Sequence, residues 1–147
     1  MPIKNGLATE TSGINTSIGL LVLRTCIGIS LFLKHGLEKL TGYSIMVQHF
    51  PDPIHIGAHA SLAFALLSDG VCSLLVVLGL GTRPAAAVIC VNLLTAFFFV
   101  HHAALFSNGH VELVWVYVTV FASLLITGAG RLSVDAHLSR GTRSRPV

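Results

Sequence analysis

Two charged residues stand inside runs that are otherwise apolar, and they are where chemistry is first expected. Arg24 interrupts the run 18–33, and Asp69 interrupts the run 56–80. A charge near the centre of a bilayer costs a few kcal/mol on insertion scales, so each should find a partner. Asp69 lies about 16 Å along a helix from Leu80, and Arg24 lies about two turns in from the same side. The long arginine side chain closes that gap, which predicts an Arg24–Asp69 ion pair inside the bundle. Such a pair either sets helix register, as buried polar pairs do in some proteins, or forms the floor of a substrate or quinone pocket.

A second set gathers at the opposite mouth. His35 follows Arg24 by three helical turns and shares its face, and Glu38 and Lys39 continue close to it. His101 and His102 end the third apolar run, Glu112 opens the fourth, and Tyr117 lies five residues inside Glu112. His35, Lys39, His101, Glu112 and Tyr117 together make a candidate polar pocket. An imidazole exchanges its proton near neutral pH, so this set suits binding or protonating a quinone head group. His35 and His101 also raise the question of an axial haem pair or a metal. With no CxxCH and no HExxH, haem and metal are not expected and no metal ligand is assigned. Cys26, Cys72 and Cys90 each sit in an apolar run without CxxC spacing and read as small core residues. Trp115 and Tyr43 read as an interfacial aromatic belt. The run Phe97-Phe98-Phe99 reads as lipid-facing or core packing. Gly19, Gly28, Gly70 and Gly79 offer sites for close backbone approach, without a strict GxxxG. No phosphate-binding glycine loop or nucleophile elbow is present, and the catalytic residue of an enzyme is left unassigned.

The elements that must carry these groups are membrane helices. The chain has 147 residues, 53% hydrophobic and only 10% charged, with a mean hydropathy of +0.80. Soluble domains carry about 25% charged residues, so lipid must cover much of this surface. Four apolar runs, at about 18–35, 56–80, 84–102 and 112–128, predict an all-α, four-helix transmembrane bundle spanning 18–133. Residues 1–17 read as a loose polar N-terminal tail, 36–53 as a loop with Pro51 and Pro53, and 134–147 as a basic tail. The very short connection Thr82-Arg83-Pro84 makes the second and third helices antiparallel neighbours. Lys4, Arg83, Arg131, Arg140, Arg143 and Arg145 fall on one side, Lys34 and Lys39 on the other. By the positive-inside rule both termini are then cytoplasmic, and the histidines other than His137 cluster at the outer face. The basic residues follow this topology rather than forming a nucleic-acid patch, so no nucleic-acid partner is expected.

The order of these segments resembles the DoxX family of small bacterial membrane proteins, across roughly residues 18–138. The resemblance is carried by Leu23-Arg24 with Gly28, then Phe32-Leu-Lys-His35-Gly36-Leu-Glu-Lys39-Leu40, Asp69-Gly70 and Leu78-Gly-Leu-Gly-Thr82-Arg83. It continues through His101, Glu112 and Tyr117 to Thr127-Gly-Ala-Gly130-Arg131-Leu-Ser133-Val-Asp135. Asp69 stands where the family usually has Glu, and Ala129 where Pro is common. The resemblance implies a four-helix bundle in the bacterial inner membrane and an association with redox chemistry. The namesake is similar to a subunit of a thiosulfate:quinone oxidoreductase, and relatives are linked to oxidative-stress complexes.

Three functions follow as expectations. The first is a membrane subunit of a quinone-linked oxidoreductase, with quinone as the cofactor to look for. The second is a non-enzymatic scaffold holding soluble redox partner proteins, its basic tail (Arg140, Arg143, Arg145) being the docking element. The third is a small transporter of a weak acid or metal ion, which requires a water-filled passage through the bundle. Oligomeric state is not readable from these residues.

Overall fold

A computed structural model describes residues 4–100 and 111–143, with side chains described for 13–100 and 111–139. The regular secondary structure among the described residues is all helical, with no strands. The first helix, α1, runs over residues 4–41 as Lys4–Leu31, a π-helical turn Phe32–Gly36, and Leu37–Thr41. The short helix α2 is Tyr43–Met46. Helix α3, Ala58–Leu78, has a π-helical turn at Leu67–Cys72, and α4, Thr82–Val100, has one at Ala96–Val100. Helix α5 is Val111–Thr127 and α6 is Val134–Arg143.

Three stretches, Gly13–Thr41, Ala58–Leu78 and Thr82–Val100, are long and apolar enough to cross a membrane. Val111–Thr127 is a fourth apolar helix of 17 residues. Two element boundaries differ from expectation. The stretch read as a loose tail is helical from Lys4, and the helix read as ending near His35 continues to Thr41. The second difference carries Lys39 on helical backbone, one turn beyond His35, instead of in a loop.

The α3–α4 connection is as tight as its sequence implies. Gly79 and Gly81 hold positive φ (72° and 55°), a conformation that costs glycine little. The Leu80 N–H returns to the Leu75 carbonyl at 2.9 Å and the Gly79 N–H to Val76 at 3.1 Å, closing α3 with an αL cap. Pro84 then falls in the first turn of α4, where its missing N–H costs nothing.

Helices α1, α3, α4 and α5 pack around one core, in which Leu31, Val76, Ala86, Ile89, Phe121 and Leu124 are fully buried. Their outward apolar residues, such as Val22, Leu33, Val91 and Ile126, remain uncovered by protein. That inside-out distribution suits a lipid solvent, because dispersion and small-residue fit replace the hydrophobic effect as the packing force.

Candidate intramembrane polar site

Asp69 lies in the π-helical turn of α3 and is 3% exposed. A π turn inserts a residue into the α-helical ladder and is frequent at functional sites. Here its widened backbone is met by Ser73, whose Oγ donates toward the Asp69 and Gly70 carbonyls at 2.6 and 2.7 Å. The turn faces the π-helical turn of α1 at Gly36. A Cβ on Gly36 would stand 2.6 Å from the Asp69 carbonyl oxygen and 3.0 Å from the Gly70 Cα. Only a glycine lets the two backbones come this close.

The Asp69 carboxylate is fully engaged. Lys39 Nζ donates to Oδ2 at 2.8 Å, forming an ion pair between two largely buried side chains. Asn92 Nδ2, from the middle of α4, donates to Oδ1 at 3.1 Å, and Ser68 Oγ donates to the same oxygen at 3.1 Å. Lys39 also reaches the His35 carbonyl at 3.4 Å, the i−4 position of its own helix. A carboxylate with three donors, one of them a cation, is a stable way to hold a negative charge away from water.

Beside this centre sits a second group. The Tyr117 hydroxyl, on α5, is 2.7 Å from Ser30 Oγ on α1, and its ring meets that of His35 edge-on at 6.3 Å. Tyr117 is buried and stacks on Phe121 at 6.4 Å. The His35 ring is half-buried and makes no hydrogen bond among the described residues.

The expected Arg24–Asp69 ion pair does not form. Arg24 is 2% exposed, but its guanidinium turns to the other end of the bundle, where Nη2 donates to the Leu132 carbonyl. Its Nη1 lies over Gly79, at which a Cβ would come within 1.6 Å. Gly79 is ten residues beyond Asp69, about 15 Å along the helix. The physical reason is that a long basic side chain runs along apolar surface toward the nearer polar boundary. Lys39, meanwhile, lies within side-chain reach of the acid once α1 continues past His35. Arg24 is thus no part of a floor beneath Asp69.

Of the expected pocket, His35, Lys39 and Tyr117 converge. Glu112 does not join them; it is exposed at the start of α5. His101 lies outside the described residues. Asn92, Ser68, Ser30 and Gly36 belong to the site without having been singled out as part of it. Asn92 was the most legible of these, a lone amide in an otherwise apolar stretch. No group of three His, Cys, Asp or Glu side chains is arranged to hold a metal among the described residues. Gly28 packs tightly, since a methyl added there would stand 2.6 Å from Val77 Cγ2, whereas Gly19 has open space. In the aromatic run, Phe97 is core and packs on Trp115 at 5.4 Å, while Phe98 and Phe99 face outward.

The opposite end of the bundle is a structural clasp. Asp135 accepts from the Gly81 and Thr82 N–H groups at 2.9 and 3.3 Å, capping α4. Its own N–H donates to the Gly79 carbonyl at 3.0 Å. Arg83 Nη2 reaches the Ile126 carbonyl at 3.1 Å. Between this clasp and the Asp69 centre lies the apolar layer of Leu31, Val76, Ala86, Ile89, Phe121 and Leu124. The polar centre therefore communicates with one end of the bundle, through partly exposed Lys39 and His35, and the described interior shows no polar path to the other.

Several segments that meet in these two places, those of Arg24, residues 35–39, 69–70 and 79–83, and Asp135, also carried the family resemblance. A family profile described as DoxX matches residues 19–102 of the chain. A curated protein of Haemophilus influenzae, named only "Uncharacterized protein", is 28% identical over 138 residues, covering 89% of this chain and 90% of its own length. No solved structure matches the chain.

Proposed function

The chain belongs to the DoxX family of membrane proteins, and from that premise we propose that it is a membrane subunit of a quinone-linked redox system. In this reading four helices span the bacterial inner membrane with both termini cytoplasmic, and the Lys39–Asp69–Asn92 centre opens to the outer face. The asymmetry of Arg83, Arg131, Arg140, Arg143 and Arg145 against Lys34 and Lys39 supports that orientation. The observation that carries the functional reading is the buried ion pair itself. A charged pair with dedicated amide and hydroxyl donors is costly at mid-membrane and marks functional sites by default.

The residues present fit a quinone head group. A quinone accepts electrons and protons, and its carbonyl oxygens take hydrogen bonds from cations and imidazole. Lys39 carries three N–H donors, of which Asp69 and the His35 carbonyl use two. The third is available to a ligand oxygen. His35 would donate from the second side and is suited to exchange a proton with solvent. Tyr117, fixed by Ser30 and Phe121, would wall the head group in. Electrons would come from a partner protein, since the chain has no redox-active CxxC. The packed apolar layer beneath the centre speaks against a transporter, which needs a passage through both halves.

The test is extraction of protein purified in mild detergent, followed by chromatography for bound quinone. Quinone is expected with the wild type and lost in Lys39→Met and His35→Ala. Repeated quinone-free preparations that keep their helicity, and that bind no added short-chain quinone, would sink the reading.

A further inference from the structure

The clasp end holds a buried arginine whose hydrogen-bonding capacity is only partly used. Arg24 has two buried donors, Nε and Nη1, without a hydrogen-bond partner among the described residues. The acid closest to it in effect is Asp135, yet both Asp135 oxygens are committed to the Gly81 and Thr82 N–H groups. Ser133 packs against the same point of Gly79 as Arg24, with its Cβ 2.7 Å from a methyl placed there. Just outside Ser133 is a surface depression of about 530 Å³, lined also by Leu78, Arg131, Leu132, Val134 and His137.

This depression is amphiphilic in a definite way. Leu78, Leu132 and Val134 form an exposed apolar rim, 56%, 48% and 39% exposed. Arg131 and His137 supply exposed polar heads at the same place. Arg24 stands behind its wall, bound to the Leu132 carbonyl. The exposed Arg131 guanidinium and the His137 imidazole therefore bear on a hollow whose walls suit hydrocarbon, with Arg24 behind it and partly offset by Asp135. A free inorganic anion would use the charge and ignore the rim. A zwitterionic lipid would use the rim and gain little from the charge. The pattern matches one ligand class that uses both.

We propose that the hollow beside Arg131, Ser133 and His137 is a binding site for an anionic phospholipid, its phosphate held by Arg131 and His137 and its acyl chains along Leu78, Leu132 and Val134. Buried Arg24 supplies field without direct contact, because a charge in a low-dielectric setting acts over distance with little screening. The consequence is that headgroup binding braces the exit segment against α3, at the place where Arg24 ties the two. The inference rests on the membrane placement of the chain alone and is independent of what occupies the Lys39–Asp69 centre.

Native mass spectrometry of the full chain, with phosphatidylglycerol or phosphatidylcholine added to the detergent, tests it. Phosphatidylglycerol adducts should survive activation that strips phosphatidylcholine, and Arg131→Gln should reduce the retained fraction about fivefold, as expected for one basic residue near an anionic surface. Val134→Asp, which places a negative charge on the rim and leaves the arginine, should reduce it as well. Arg131→Lys should retain most of it. Equal retention of the two lipids by the wild type would overturn the proposal. So would unchanged retention in both Arg131→Gln and Val134→Asp. Displacement of the lipid by millimolar inorganic phosphate would reassign the hollow to a free-phosphate site and overturn the lipid assignment.

Discussion

Asp69 is held by the completeness of its partners, and single substitutions there should be far more damaging than paired ones. Lys39→Met leaves a carboxylate buried with two neutral donors, and Asp69→Asn leaves an ammonium facing an amide. Removing one member of a buried pair costs about 3–5 kcal/mol, so each variant should unfold at markedly lower temperature in detergent. The double variant should recover part of that loss, measured by the same melts; strict additivity would show that the two groups do not interact. Arg24 and Asp69 provide the contrast. Arg24→Met combined with Asp69→Asn should be additive to within about 0.5 kcal/mol, because the two sites share no partner and lie well apart. Outside the membrane, Asp52 takes donors from Ser61 Oγ at 2.8 Å and from the Gly57 and Ile56 N–H groups at 2.7 and 3.1 Å. These hydrogen bonds, Ser61's first, hold its carboxyl below the ordinary carboxylate range. A lowered folded-state pKa means stability that is present above the unfolded value of about 3.9 and lost as pH falls through the folded one. Protection of the amides at the start of α3, taken relative to intrinsic exchange at each pH, should therefore fall on acidification below about pH 4, and Asp52→Asn should flatten that dependence.

At the scale of elements, the contact between α1 and α3 depends on atoms that are absent. Gly36→Ala would drive a methyl into the Asp69 carbonyl, and overpacking of this kind costs about 1–3 kcal/mol. Gly19→Ala meets open space and should be neutral or slightly stabilising, through the better helix propensity of alanine. Both substitutions lie in α1, so a shared effect on helicity would cancel in the comparison; equal melting shifts for the two would refute the close approach at Gly36. The π-helical turns at Gly36 and Asp69 were not legible in the sequence. Nothing in Leu-Ser-Asp-Gly-Val-Cys distinguishes a π turn from an α turn locally. The widened turn is held by specific donors, Ser73 inside the helix and Asn92 from the next one.

Among the described residues a packed apolar layer lies between the two polar ends of the bundle, and one-sided access to the Asp69 centre is the expectation it raises. In a variant lacking Cys26, Cys72 and Cys90, Lys39→Cys should react with a membrane-impermeant thiol reagent from one side of sealed vesicles. Val76→Cys, in the packed layer, should react from neither. Labelling of Val76→Cys, or of Lys39→Cys from the side that carries Arg83, would mean that the interior is wetter than this packing allows. One-sided access, if labelling bears it out, would separate the two halves of the bundle by task. The contacts of Arg24, Gly79, Gly81 and Asp135 hold the α3–α4 turn to the exit segment at one end, and the Asp69 centre lies toward the other.

Much of this was legible from residue types alone. Sparse charge and long apolar runs dictate a lipid-facing helical protein, because nothing else could solvate such a surface. The short Thr82-Arg83-Pro84 link makes α3 and α4 antiparallel neighbours, since three residues allow little else. That Arg24 and Asp69 turn inward and find polar partners also followed from composition, as an unpaired charge in hydrocarbon is costly. Who pairs with whom did not follow. Depth counted along separate helices cannot say which way a flexible side chain turns, nor that α1 would run on to Thr41 and bring Lys39 within reach of Asp69. Those choices rest on distances between helices, and only the packed bundle decides them.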